Sequence, residues 1–296
     1  PVKLYILDGR PPSVISASVF CAKLEVFLRM ARIPHSVHKA DFQEAPSGTV
    51  PYIKHGSLIL GDSTCITRYL ERTFFDAATG QRVGAQTPSL GCPTLVPSFA
   101  LPPHAAALQT AIQHLVEDYI YTAGLMYTFL PKDSWPAVKE ACFGDLPAPL
   151  KAIIPAVYRA SIAKRCWLQG LTRLDAGDTQ QSVEEAADAV GHLVQQQLEA
   201  NQGPFMTGAA PCMLDALLFS VADAALPEGY GGARHALANA TLRQPGLMRL
   251  AQHVRDTYYA TESAAMPVRF PAQEAESGAA ATTGSAVRRR SGHSST

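Results

Sequence analysis

The sequence predicts two parts of different class, an α/β N-terminal unit and an all-helical bundle after it. Three observations carry this. Short apolar runs at residues 2–7 and 50–60 bracket a helix-spaced run starting at Phe20; residues 76–103 are rich in Gly, Pro, Ser and Thr; and from His104 onward apolar residues recur at helical spacing. The expected boundaries are 1–75 for the α/β unit, 76–103 for a linker, 104–260 for the helical part and 261–296 for a disordered tail containing a three-arginine run at 288–290.

The composition suits a folded protein acting on small molecules or proteins. Of 296 residues, 47% are hydrophobic and 17% charged, and Lys plus Arg balance Asp plus Glu at 25 each, so the total charge points to no nucleic-acid partner. The six cysteines are widely spaced with no CxxC pair, which argues against a zinc site or a disulfide framework and fits a reducing, cytoplasmic setting; no metal is expected. No apolar run is long enough for an integral membrane segment, and the N-terminus lacks the pattern of a signal peptide.

Each element of the first part has its own signal. VKLYIL (residues 2–7), bounded by Asp8-Gly9 and Pro11-Pro12, predicts a buried strand. Phe20, Leu24, Phe27, Leu28 and Ala31 define a helix face, with Lys23, Glu25, Arg29 and Arg32 on the other faces and Pro34 closing it. Residues 35–40 form a weak second strand. In GTVPYIKHGSLILGDSTCITRYLE (residues 48–71), a strand opening at Val50-Pro51, a turn at His55-Gly56-Ser57 and a second strand at residues 58–60 make a hairpin, and a helix follows in which Ile66, Tyr69 and Leu70 share a face. A proline entering a strand is confined to edges, first positions and bulges, and X-Pro is the bond type that takes the cis form cheaply, so Val50 is expected to present its own N–H and C=O to an extended peptide. Ser63 and the free amides behind it make an anion site, and Asp62 beside it suits an ammonium; an α-amino acid end carries both charges. The resulting order, β-α-β then β-β-α, is thioredoxin-like.

Chemistry belongs where the first strand's loop meets the first helix, because free amides there stabilise an anion. Ser16-Ala17-Ser18-Val19-Phe20-Cys21 occupies that corner. Taken singly, Ser18 is also an ordinary N-cap, Cys21 also a buried small hydrophobe, and Tyr5 a core residue. Together these motifs resemble the glutathione transferase superfamily. SVFCAKLEVFLRMARIPHSV, the 48–71 stretch and FGDLPAPLKAIIPAV resemble its Fax (failed axon connections) and metaxin-like branch. The resemblance implies a glutathione transferase fold in which Val50, Pro51, Asp62 and Ser63 bind glutathione as co-substrate. It also implies that Ser18 stands in the CPxC or SPxC position, Cys21 in the last position of that motif, and Val19 in place of its proline. A serine there stabilises the glutathione thiolate, which attacks a small electrophile, the chemistry of detoxification. Two further roles follow from the resemblance: a non-catalytic interaction module of the metaxin or Fax kind, peripheral at a mitochondrial membrane, and a thiol-exchange enzyme using Cys21. Transferases of this fold commonly form homodimers.

In the helical part, Ala107, Ala111, Leu115, Ile120 and Leu125 lie on or near one face, residues 149–171 form a long segment broken at Pro155, and residues 182–200 form a polar-faced helix. Tyr119, Tyr121, Tyr127 and Trp167 are the candidates for an acceptor pocket facing the α/β part, although an aromatic stripe is also what a plain core contains. Cys212 and Asp215 stand where the resemblance implies an (S/T)xxD capping box, with Cys212 replacing the hydroxyl residue.

Overall fold

A computed structural model describes residues 1–7, 14–84, 92–144, 146–226 and 235–260; the expected tail lies outside them. The N-terminal unit runs β1 (Val2–Ile6), α1 (Val19–Met30), β2 (His35–Lys39), β3 (Tyr52–His55), β4 (Leu58–Gly61) and α2 (Ser63–Phe74). Its four-stranded sheet has the order β2-β1-β3-β4, with β1 parallel to β2 and antiparallel to β3, and β3 antiparallel to β4. This is the expected thioredoxin-like order. Val2, Leu4 and Ile6 alternate into the core, while Tyr5 points to the other face and stacks on Tyr52 at 4.6 Å between ring centroids.

The segment after α2 is pinned at several points. Leu95 is buried and donates its N–H to Met30 O, Val96 N–H donates to Pro211 O, and Glu71 accepts from both the N–H and the hydroxyl of Ser98. Its Gly, Pro and Ser content reflects irregular backbone rather than absence of contacts.

The helical region comprises α3 (Pro103–His114), a π-helical turn (Leu115–Ile120), α4 (Tyr121–Phe129), α5 (Trp135–Phe143), α6 (Ala148–Leu168), α7 (Ala176–Asn201), α8 (Met213–Ala224), α9 (Ala236–Leu242) and α10 (Pro245–Tyr258). Two expectations are corrected here. The buried face of the first long segment is Ile112, Val116, Ile120 and Ala123 rather than the face through Ala111 and Leu115. Their spacings of four and three are those of a single helical face, which continues through the π turn. Pro155 does not break α6, which continues through it. Pro155 is buried where α6 packs on α4 and α5, and that packing holds the helix across the missing hydrogen bond.

The hydrophobic core is continuous between the two parts, with α1 packed directly on α8. This burial reaches faces of α1 beyond the apolar one read from the sequence. Lys23 is fully buried and Glu25 is 2% exposed.

Candidate functional site

Three pieces of chain converge on one end of the sheet, and the strand registers bring them there. Tyr5 pairs across β1 and β3 with Tyr52, which pairs in turn with Gly61 of β4. The residues just before Tyr52 are Val50 and Pro51, joined by a cis peptide bond. The residues just after Gly61 are Asp62 and Ser63. Beyond Tyr5 the first strand leads to Leu7, whose backbone lies against Cys21 in the first turn of α1. Val50, Pro51, Asp62, Ser63 and Ser18 therefore share one neighbourhood.

Ser18 is the N-cap of α1, with its Oγ accepting from Cys21 N–H at 3.4 Å. Its own N–H donates to Ser16 Oγ at 3.2 Å. The loop carrying it is tied to the helical region: Ile15 N–H donates to Asp223 Oδ2 at 2.7 Å, and the other oxygen of Asp223 is paired with Arg255. Cys21 is fully buried, and burial pushes its thiol up to about 11, against the smaller opposing effects of Ser18, the Leu7 backbone and Ser16.

Asp62 caps α2. Its Oδ1 accepts from Thr64 N–H at 3.0 Å and Cys65 N–H at 2.9 Å. Its φ of 66° is a backbone conformation that a non-glycine residue rarely adopts, and such outliers concentrate at functional sites. Ser63, the first residue of α2, is 7% exposed.

The structure adds residues that sequence reasoning did not single out. Lys23 Nζ lies 2.7 Å from Glu117 Oε1, and Glu117 Oε2 accepts from Gln113 Nε2 at 3.1 Å. Gln113 Nε2 also reaches Thr64 Oγ1, at 3.4 Å, in the first turn of α2. Burial lowers the Lys23 pKa, opposed by the charges of Glu117 and, less strongly, Asp62. A chain of polar contacts thus runs from the π turn to the start of α2. The one sequence cue was Lys23, a charge close to the apolar face of α1.

The four aromatic candidates do not form one pocket wall. Tyr121 meets the first turn of α1, its ring 4.6 Å from that of Phe20, and burial pushes its phenol up to about 12. Tyr119 hydrogen-bonds Ser182 of α7 at 2.7 Å, Tyr127 stacks on His235, and Trp167 is 55% exposed beside Arg173. Helical geometry explains the split, since residues two apart, such as Tyr119 and Tyr121, point to opposite sides. An open cleft of about 560 Å³ lies elsewhere, lined by Leu130, Trp135, Pro155 and Arg159 among others; none of its lining residues comes from the N-terminal unit. Among the described residues, no cluster of His, Cys, Asp and Glu is suited to hold a metal ion, and no helix is long and apolar enough to cross a membrane.

Residues 19–86 match the family model of the glutathione S-transferase N-terminal domain. The match spans α1 to α2, including Pro51, Asp62 and Ser63, and with the helical region behind it the architecture is the glutathione transferase fold. No curated protein matches the chain. Similar solved structures include glutathione S-transferase III in apo form, at 14% identity over 92% of this chain and 99% of that one, with a TM-score of 0.48. A maleylacetoacetate isomerase from Methylobacterium extorquens AM1, solved with malonate and GSH bound, is 17% identical over 92% of this chain and 100% of that one, with a TM-score of 0.47. Human glutathione S-transferase T1-1 in apo form is 16% identical over 92% of each chain, with a TM-score of 0.44.

Proposed function

We propose that this protein is a glutathione transferase in which Val50, Asp62 and Ser63 bind glutathione and Ser18 stabilises its thiolate for attack on a small electrophile. The observation that carries the reading is the meeting of cis Pro51, the Asp62-Ser63 helix start and the Ser18 cap at one end of the sheet, the first two within the segment similar to a glutathione S-transferase N-terminal domain and Ser18 immediately before it. In this reading Val50, just outside the β1–β3 register, pairs with the peptide backbone. The α2 amides and Ser63 hold the α-carboxylate, and Asp62 Oδ2 faces the ammonium. The Ser18 hydroxyl donates to the bound sulfur, which makes the thiolate the better populated form, and the attacking group belongs to the substrate. Phe20 and Tyr121 form the acceptor wall nearest that sulfur.

The organisation that goes with this reading is a glutathione-binding domain over residues 1–75, a linker over 76–103 and a helical domain over 104–260, in a cytoplasmic homodimer serving detoxification. Thiol exchange through Cys21 is disfavoured by its complete burial and raised pKa, since exchange needs an accessible thiolate. A non-catalytic module of the Fax or metaxin-like kind draws support from Val19 in place of the motif's proline.

Calorimetric titration with glutathione and S-hexylglutathione separates these readings. The transferase reading expects saturable binding of both ligands, weakened by Asp62→Ala or Ser63→Ala, whereas Ser18→Ala spares binding and lowers turnover with electrophilic substrates. Absence of binding at millimolar ligand would leave the fold as an interaction module. Unchanged conjugation in Ser18→Ala would remove its catalytic role.

A further inference from the structure

Helix α6 packs on α4 and α5 through Pro155, Ile162 and Cys166, its buried residues. The opposite face is apolar and bare among the described residues: Leu150, Ile153, Ile154, Val157 and Leu168 are all exposed, with Val157 at 63% and Leu168 at 60%. Their spacing follows the helical repeat, so they form one strip along the outer side. Trp167, in the last turn of the helix, and Leu174, beyond its end, are also exposed, at 55% and 52%.

Charge distinguishes this helix from the rest of the chain. Residues 148–174 contain Lys151, Arg159, Lys164, Arg165 and Arg173 and no Asp or Glu, in a chain whose charges balance overall. Lys151 is paired with Glu140. Arg159 donates to the Phe129 and Leu130 carbonyls, while Arg165 and Arg173 lie over the rings of Tyr121 and Trp167, so these three meet neutral partners. Lys164 sits within the strip, seven residues after Val157.

We infer that α6 is a docking surface for an anionic lipid bilayer. The apolar strip would enter the boundary between headgroups and acyl chains, with Trp167 at headgroup level and Lys164 and Arg173 reaching lipid phosphates. Charge complementarity selects this occupant. A second copy docking through the same face would bring two acid-free basic helices together, and a partner helix would need a groove, whereas the strip runs along a single helix. The inference concerns a surface separate from the glutathione site.

The test is cosedimentation of the full chain with vesicles of phosphatidylcholine alone or mixed with phosphatidylserine. Binding to the anionic vesicles is expected to exceed binding to neutral ones by about tenfold or more and to weaken as salt is raised. The double variant Ile153→Glu, Val157→Glu alters only exposed side chains and should lower that binding by about tenfold or more while leaving glutathione titration unchanged. The pair Lys164→Glu, Arg173→Glu tests the charge contribution separately and should abolish the preference for anionic vesicles. No binding to either vesicle, or undiminished binding by both double variants, overturns the inference. So does concentration-dependent self-association that Ile153→Glu, Val157→Glu disrupts without vesicles, which would assign the strip to a second copy.

Discussion

At the scale of single residues, neighbouring positions in α1 have opposite environments. Ser18 is half-buried at the helix start and Cys21, one turn on, has no exposed surface. Thiol reagents should therefore modify exposed Cys65 quickly in the native protein and reach Cys21, Cys166 and Cys212 only on unfolding, which mass spectrometry of the labelled chain would read directly. Fast native labelling of Cys21 would restore the thiol-exchange reading. Lys23 and Glu117 show what burial does to a charge. Lys23 is fully buried, and the Glu117 side chain is 16% exposed. Glu117→Ala should destabilise the fold by about 2–4 kcal/mol in urea unfolding, because it leaves an ammonium without its carboxylate; replacing both, as in Lys23→Met with Glu117→Leu, should recover most of that loss.

At the scale of elements, α8 is the post on which the site stands. Cys212 gives its N-terminus no side-chain oxygen, so Asp215 takes the capping role, accepting from Cys212 N–H at 2.7 Å and Met206 N–H at 2.8 Å. Complete burial pushes this carboxyl up to about 6 despite those bonds. The folded protein then holds the proton more tightly than the unfolded chain, so this group's contribution is fully present below the unfolded pKa and is lost as pH rises through about 6. Between pH 4 and 7 it should remove roughly 1–3 kcal/mol of stability. Buried Glu71 shifts in the same direction, so the readout is the difference in slope between wild type and Asp215→Asn, which should be flatter. At the other end of α8, Asp223 joins Arg255 of α10 to Ile15 of the Ser18 loop. Asp223→Ala should cost about 3–5 kcal/mol in urea unfolding, since it leaves a buried guanidinium and frees the loop. If the variant still folds, the transferase reading proposed above expects turnover to fall more than glutathione affinity, because Asp62 and Ser63 lie on a separate element.

At the scale of the whole molecule, local signals and long-range packing divide the outcome between them. The order of strands and helices, the hairpin opening at Pro51, the cap at Asp62 and the start of α1 at Ser18 were legible because each depends on a few neighbouring residues: alternation, a turn, a side-chain oxygen, a proline. By itself the sequence determined that these candidates lie at the ends of successive elements of one small sheet. Four matters were not local. Lys23 and Glu25 lie off the apolar face of α1, and their burial followed only from the packing of α8 and the helical region. Pro155 looked like a break until α4 and α5 packed around it. Tyr119, Tyr127 and Trp167 read as members of one aromatic set, and separate helix faces gave each different neighbours. The Asp223 anchor of the Ser18 loop joins positions 208 residues apart. Only the tertiary structure decided these, because burial, and the pairing of charge that burial demands, depends on what packs against a helix rather than on the helix's own residues.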